Sequence, residues 1–395
     1  MSAIPSPIAD IALAPGQSTA SARGLSLGIL LADGAVGWGD LVLPPGFAPP
    51  AAWQAVAELL DHITPRLRSQ QHPSLAAFGA RLGTVFEDGD SPIVAPLRLA
   101  LQQAWLEVAA AGSDQTAARR LAAEYGLAPV EPATPALFLE ISDHAATAER
   151  IDRMLALRPA GIGYRLTGVR VVEAIGQNAE LLQRFVRQLG ERADMLAPGE
   201  SYRPAMYLSL NGALGNLAED PVRHIGKVLG HVVGLQSATG ERRLILEEPF
   251  LLPDQVDQVS NLHRLKDFIR RTPDSLRRAE PTLLVAPSTG VSEDERRFYA
   301  DTAAVHALSF DPLAEGDLLA TLDTVVRTRA SGLEVVLRLP SMATPRWIAT
   351  LTALSDVLRP LALLISCDES LELATFAARM AGEAAVMAAR RQIPR

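Results

Sequence analysis

Arg242-Arg243-Leu244-Ile245-Leu246-Glu247-Glu248-Pro249-Phe250 is a short apolar run of strand character that ends in two carboxylates and a proline. In a (β/α)₈ barrel the chemistry sits at the C-terminal ends of the strands, so acids at such an end predict a site there. Working outward, the same alternation of a β-like run and a helical stretch repeats. Candidate strands are 136–141, 161–166, 205–210, 244–247, 282–286, 304–310, 334–339 and 361–366. The helical stretches between them are 145–157, 169–189, 221–235, 254–271, 293–302, 315–330 and 345–358, with a last helix at 371–391. Eight β/α pairs predict a TIM-type α/β barrel. A doubly wound open sheet shares the periodicity, but eight regular units favour closure.

The first third of the chain reads differently. Residues 1–20 are rich in Pro, Ala and Ser and predict a frayed tail at their beginning. Asp33-Gly34 lies between Leu25–Leu31 and Ala35–Asp40, a hairpin signal. Helical spacing follows at 49–67, at 74–82, from Ser91-Pro92 through Leu97, Leu101, Ala104, Trp105 and Val108, and at 116–125. Three prolines between Pro129 and Pro135 read as a linker. The expected organisation is an α+β capping domain over 1–130 and a barrel domain over 131–395.

A length of 395 residues accommodates a barrel of about 250 residues plus a cap. The net charge of −8 argues against a nucleic-acid footprint, which needs a basic face. A small anion remains possible, because one local arginine can bind it. The single cysteine, Cys367, excludes an intrachain disulfide and fits a reducing cytoplasm. Met1–Gly16 lacks the basic and apolar regions of a signal peptide, and no apolar run reaches the ~18 residues of a membrane helix.

Four segments carry a family resemblance. Leu30–Asp40, Pro96–Leu106, Tyr207–Gly215 and Leu246–Pro249 resemble, in order and spacing, the first hairpin, cap helix, third barrel strand and fourth barrel strand of the enolase superfamily. Within it the chain is most similar to methylaspartate ammonia-lyase. The resemblance implies a cap before a barrel, self-association as at least a homodimer, and three strand-end carboxylates on Mg²⁺. It also implies a lysine after the sixth strand and a histidine near the second as general bases. Such a metal offsets charge that develops when a proton is removed next to a carboxylate.

Residue by residue, the implied ligand positions fall on Ser209, on Glu247, which is retained, and on Pro287. The lysine position falls near Phe310 and the histidine position near Ala160. One carboxylate and a serine are a poor Mg²⁺ site, so neither a metal nor another cofactor is expected. Phe310 and Pro287 are expected to share one mouth with Ser209 and Glu247.

Other polar residues are expected at the same rim: Glu140, Tyr164, Arg165, Asn211, Ser288, Asp311, Arg338, Ser341 and Asp368. Glu247, Tyr164 and Asp311 are the candidate proton-transfer groups. Arg165, Ser209, Asn211, Ser288, Arg338 and Ser341 are the candidate binding groups, the arginines through bidentate forks on a carboxylate. Each arginine has an equally simple alternative, pairing with Glu140 or Asp368 and closing the barrel. Tyr164 has one too, as a core tyrosine. Gly24-Leu25-Ser26-Leu27-Gly28 matches a nucleophile elbow, but its serine lies in a hairpin strand and not before a helix. Ser292–Glu295 is a capping box.

The favoured function is a metal-independent lyase or isomerase acting on a small carboxylate or amino acid. The alternatives are an inactive relative kept as a partner or structural subunit, and an Mg²⁺-dependent carbon–nitrogen lyase with rearranged ligands.

Overall fold

Asp33-Gly34 turns the chain as its composition requires. Gly34 takes a φ of 90°, in the left-handed region that favours glycine, and the Asp33 carboxylate accepts from the Ala35 amide at 3.0 Å. The turn joins β2 (Leu25–Leu31) to β3 (Val36–Leu41), paired antiparallel from Leu30↔Val36 to Leu25↔Leu41. The structure, a computed structural model of the chain, describes residues 5–16, 24–43, 49–86, 91–111, 116–127, 136–178, 180–196, 202–214, 225–240, 242–249, 283–287, 293–302, 305–339, 344–368, 372 and 375–379.

One strand was not expected from the sequence: Ile8–Pro15 is strand β1, paired antiparallel with β2. Ile8 and Ile11 are both buried although three residues apart, because an irregularity in the pairing between Ile8 and Asp10 brings them to the same side. The irregularity breaks the two-residue period by which a strand is read from sequence.

Four helices cover this sheet: α1 (Pro49–Leu67), α2 (Leu75–Val85), α3 (Val94–Ala111) and α4 (Ala117–Glu124). α3 lies directly on the hairpin. A Cβ on Gly39 would stand 1.8 Å from the Ala100 carbonyl oxygen, so only glycine permits this approach.

From Leu137 onward, eight parallel strands close a barrel in chain order. They are β4 (Leu137–Ser142), β5 (Gly161–Arg165), β6 (Ala205–Ser209), β7 (Leu244–Glu247), β8 (Leu283–Pro287), β9 (Ala307–Phe310), β10 (Glu334–Leu339) and β11 (Ala362–Ser366). Closure is direct, since Leu363 of β11 pairs with Leu137 of β4. Described helices on the outside are α5 (Ala148–Ala156), α6 (Val169–Gln177), α7 (Glu180–Leu196), α8 (Ile225–Ala238), α9 (Glu293–Thr302), α10 (Pro312–Glu315), α11 (Leu318–Ala330) and α12 (Pro345–Leu358). The stretch 169–189, read as one helix, is two, broken at Asn178 in an extended conformation. The helix expected from Glu315 is also divided, by Gly316 at a φ of 71°. The expected helix 254–271 lies outside the described residues.

Strand alternation sorts the barrel's side chains into two shells. Phe138, Tyr207, Ile245, Val285, Ala307, Val336, Ala362 and Leu364 fill the interior. Leu139, Ile162, Leu208, Leu246, Leu308, Phe310, Leu337 and Ile365 face outward into the larger core under the helices. Gly161 and Gly163 leave the second strand's inner face bare. A Cβ on Gly161 would lie 2.1 Å from the Phe138 ring, and one on Gly163 2.9 Å from Glu140 Cβ.

Cap and barrel meet through buried polar contacts. The Asp40 carboxylate accepts from Ser26 Oγ at 2.6 Å and Thr344 Oγ1 at 2.7 Å, and its carbonyl accepts from Trp347 Nε1 at 3.1 Å. Gln102 of α3 accepts from the Leu318 amide at 2.7 Å and donates to Asp317 at 2.9 Å. These bonds seat the cap on the helices that follow the sixth and seventh barrel strands. Among the described residues no helix is long and apolar enough to cross a membrane.

Gly161→Ala should lower unfolding free energy by about 1–3 kcal/mol, since its methyl group overpacks the Phe138 site. Urea unfolding followed by circular dichroism measures this. A loss below the experimental error would mean that the Phe138 ring shifts freely inside the barrel.

Candidate functional site

The inward positions nearest the C-terminal mouth are polar and charged, where those below are apolar. Parallel strand registers place Glu140, Ser209 and Arg338 from alternate strands in one layer. Glu247 and Ser309 belong to the layer beneath, and Arg165, Asp311 and Ser366 to the layer above. Ser209 and Glu247 both lie on the inward face at this mouth, and both are buried. Phe310 does not join them; it points outward into the helix layer beside Leu308. Ser309, one residue earlier, holds the inward position, because the period of two leaves consecutive residues on opposite faces.

Arg338 is the centre of this site. Its Nη1 donates to both Glu140 oxygens, at 3.0 and 2.9 Å, and its Nη2 donates to Glu247 Oε2. The same Glu247 oxygen accepts from Ser209 Oγ at 2.7 Å. Arg165 extends the network. Its Nε stands 3.6 Å from Glu140 Oε2, beyond hydrogen-bond reach, and its Nη2 donates to Asp368 Oδ2 at 2.7 Å. Asp368 Oδ1 in turn accepts from the Ser142 amide at 2.7 Å. Below Arg338 the Tyr207 hydroxyl is fully buried, with no hydrogen-bond partner among the described residues.

The titration behaviour follows from these neighbours. Burial is the largest influence on Glu140 and raises its pKa, while Arg338 and then Arg165 pull it back. Burial also opposes the charge on Arg338, yet the flanking Glu140 and Glu247 hold its pKa above the ordinary guanidinium range. For Asp368, burial is outweighed by hydrogen bonds from Ser142 and by Arg165, and its pKa falls.

The other expected site residues separate. Asp311 reaches the mouth, but its carboxylate caps α10, accepting from the Leu313 and Ala314 amides at 3.0 and 3.1 Å. Burial raises its pKa, partly offset by the Ala314 N–H and by Arg338. Tyr164 is corrected outright. It faces outward and stacks on Phe185 of α7, ring centroids 3.9 Å apart, and burial pushes its pKa up to about 12. Asn211 is exposed beyond the third strand with a φ of 47°. Ser288 and Ser341 lie outside the described residues. Ser26, in the elbow-like motif, donates to the Asp40 carboxylate within the cap sheet.

Three contributors escaped the sequence reading: Tyr207, Ser142 and His144. Inward parity on their strands marks Tyr207 and Ser142. His144 follows the first strand by two residues, and only the tertiary structure shows which groups its ring meets.

Just over half of the chain, residues 135–339, matches the family profile described as methylaspartate ammonia-lyase C-terminus. The chain belongs to the methylaspartate ammonia-lyase family. No curated protein matches it. Among solved structures it is similar to the β-methylaspartase of Clostridium tetanomorphum, an Mg complex, at 16% identity over 98% of this chain and 100% of that one, TM-score 0.75. It is similar to the Citrobacter amalonaticus methylaspartate ammonia lyase containing (2S,3S)-3-methylaspartic acid, at 17% identity over 98% and 100%, TM-score 0.75. A dipeptide epimerase from Methylococcus capsulatus, complexed with an Mg ion, is 17% identical over 92% of this chain and 90% of that one, TM-score 0.60. These three likenesses concern the fold.

The family fold implies Mg²⁺, and the residues here do not fit it. Ser209 spends its hydroxyl proton on Glu247, Pro287 has no donor atom, and a guanidinium already occupies Glu247 Oε2. Among the described residues no group of three His, Cys, Asp or Glu is arranged to hold a metal ion. Mg²⁺ demands near-octahedral oxygen ligands, and a fixed cation beside the one retained carboxylate opposes it.

Arg338→Met should destabilise the protein by about 3–5 kcal/mol at neutral pH, because it leaves buried Glu247 with no cationic partner and Glu140 with only the more distant Arg165. Glu140 already has a raised folded-state pKa, and losing Arg338 raises it further. The stability linked to that group is present below its unfolded pKa and is lost as pH rises through the folded one. The deficit should therefore shrink as pH falls. Urea unfolding of both proteins across the acidic range checks the sign, and a constant deficit would show that Glu140 is not the titrating group.

Proposed function

We propose that this chain is a diverged methylaspartate ammonia-lyase-type enzyme that acts on a small carboxylate or amino acid by proton transfer, without a divalent cation. The observation that supports the reading is the Arg338 guanidinium seated between Glu140 and Glu247. It supplies fixed positive charge where the family's ligand positions converge, and preorganised charge of this kind stabilises an anion formed next to a carboxylate. In this reading Glu247 is the counter-ion of Arg338, held by two hydrogen bonds. Arg165 receives the substrate carboxylate. Its side chain is 28% exposed against 11% for Arg338, so it is the guanidinium a ligand can reach. The Citrobacter relative's 3-methylaspartic acid is an amino dicarboxylate, a chemistry that suits an arginine at the mouth. Association as a homodimer belongs to the same proposal.

A second reading, a non-catalytic partner or structural subunit, is favoured by one feature. Glu140, Glu247 and Asp368 are all already paired with the chain's own arginines.

Deuterium uptake from D₂O into L-aspartate and 3-methylaspartate, followed by ¹H NMR, separates these readings. Exchange that persists at full rate in EDTA, with a thermal midpoint unmoved by millimolar Mg²⁺, is the expected result. Activity that appears only with Mg²⁺, together with Mg²⁺ stabilisation abolished by Glu247→Gln, would overturn it. No exchange under either condition would favour the non-catalytic reading.

A further inference from the structure

The ring of His144 stands at the barrel mouth, two residues beyond the first barrel strand, held by side chains on two strand ends. Ser142 Oγ lies 3.0 Å from its Nδ1 and 3.4 Å from its Nε2, and Thr167 Oγ1 lies 3.2 Å from Nδ1. Thr167 is itself tied down, since its amide and hydroxyl both donate to the Asp143 carboxylate, at 3.2 and 2.5 Å. That carboxylate also accepts from the His144 amide at 3.0 Å and from the Gly168 amide at 3.0 Å. The loop carrying His144 is thus fixed to the end of the Arg165 strand, where Ser142 and Arg165 are paired in register.

The ring's surroundings connect it to the charged network. Ser142 is fully buried, and its amide bonds the same Asp368 that receives Arg165. The charged groups around the ring are Asp143, whose Oδ1 stands 3.8 Å from Nδ1, and, through Ser142, Asp368 and Arg165. Despite these contacts the side chain is 67% exposed. Imidazole is the side chain whose unperturbed titration spans neutral pH. Of the other described histidines, His62 and His72 belong to the cap, His231 lies on the outer helix α8, and His306 precedes the sixth barrel strand at the opposite end of the barrel. Glu247 and Asp311, the other acid–base candidates here, are engaged by Arg338 and by helix-capping amides.

We infer that His144 is the proton-transferring residue of this site, acting on the carbon next to a ligand carboxylate held by Arg165. This deepens the proposed function and rests on it. The step balances within the site. The C–H bond breaks, its electron pair passes toward the carboxylate held by Arg165, and the proton goes to an imidazole nitrogen. The resulting imidazolium faces Asp143, exchanges with solvent through its exposed edge, and returns a proton or deuteron to carbon.

Two measurements test it, with succinate and L-aspartate as probes. The ring signals of His144, assigned with His144→Gln, are titrated by NMR with and without succinate. A bound carboxylate near the ring should raise the His144 midpoint by about one pH unit, and Arg165→Met should abolish both binding and rise. If succinate binds in an Arg165-dependent way and the His144 midpoint stays put, the assignment of His144 fails while the carboxylate reading survives. If succinate moves no mouth resonance, both fail. Independently, His144→Gln should slow EDTA-resistant deuterium exchange of L-aspartate by about a hundredfold or more with KM retained. An unchanged rate overturns the role. The exposed position of the ring makes this variant tolerable to the fold.

Discussion

A guanidinium clamped between two buried carboxylates organises the upper half of this barrel. Glu140, Glu247 and Arg338 come from the first, fourth and seventh strands, far apart in sequence, and meet because a closed barrel points alternate residues at one axis. Each charge alone would be costly to bury, and together they satisfy one another. The arrangement depends on room as much as on charge. Gly163 on the intervening strand leaves the space that the Glu140 stem fills. Tyr207 below and Ser209 beside it complete a wall through which the apolar interior gives way to a polar mouth.

This clamp separates ancestry from chemistry. The barrel, its cap and the C-terminal family match are those of methylaspartate ammonia-lyases. The positions that would grip a dication instead hold a hydroxyl, a carboxylate already paired, and a proline. A fixed guanidinium differs physically from Mg²⁺. It offers directional N–H donors and a permanent single charge, and it has no open coordination position for substrate oxygens. In the function proposed here, chemistry at this mouth relies on hydrogen-bonded charge, with Arg165 and His144 on the side of the rim formed by the first two strands.

The cap contributes by anchoring. Asp40, in a cap strand, bonds Thr344, which caps the helix after the seventh strand, and the same strand supports Arg338. Gln102 similarly caps the start of the helix that precedes that strand. The element that carries the central arginine is therefore gripped from the cap at both of its flanking helices. Rigid support of this kind is what holds a charged triad at fixed depth inside a barrel.

The fold was legible because its signals are local. Eight apolar runs alternating with helical stretches, Asp33-Gly34 between β-like runs, and the order of four family-like segments all survive in one dimension. The departures from the family's implied ligand pattern at Ser209 and Pro287, and the retention of Glu247, were legible for the same reason. Parity was less secure: Phe310 and Tyr164 sit at the right distance along their strands but on the wrong face, a one-residue difference that periodicity alone did not assign. The strand at Ile8–Pro15 was hidden by the irregularity that breaks its two-residue period. What tertiary structure alone decided was pairing. Sequence named Arg338, Arg165, Glu140 and Asp368 as rim residues, but which arginine meets which acid depends on strand tilt and register around a closed circle. Those are set by packing across the whole barrel, and no local stretch contains them.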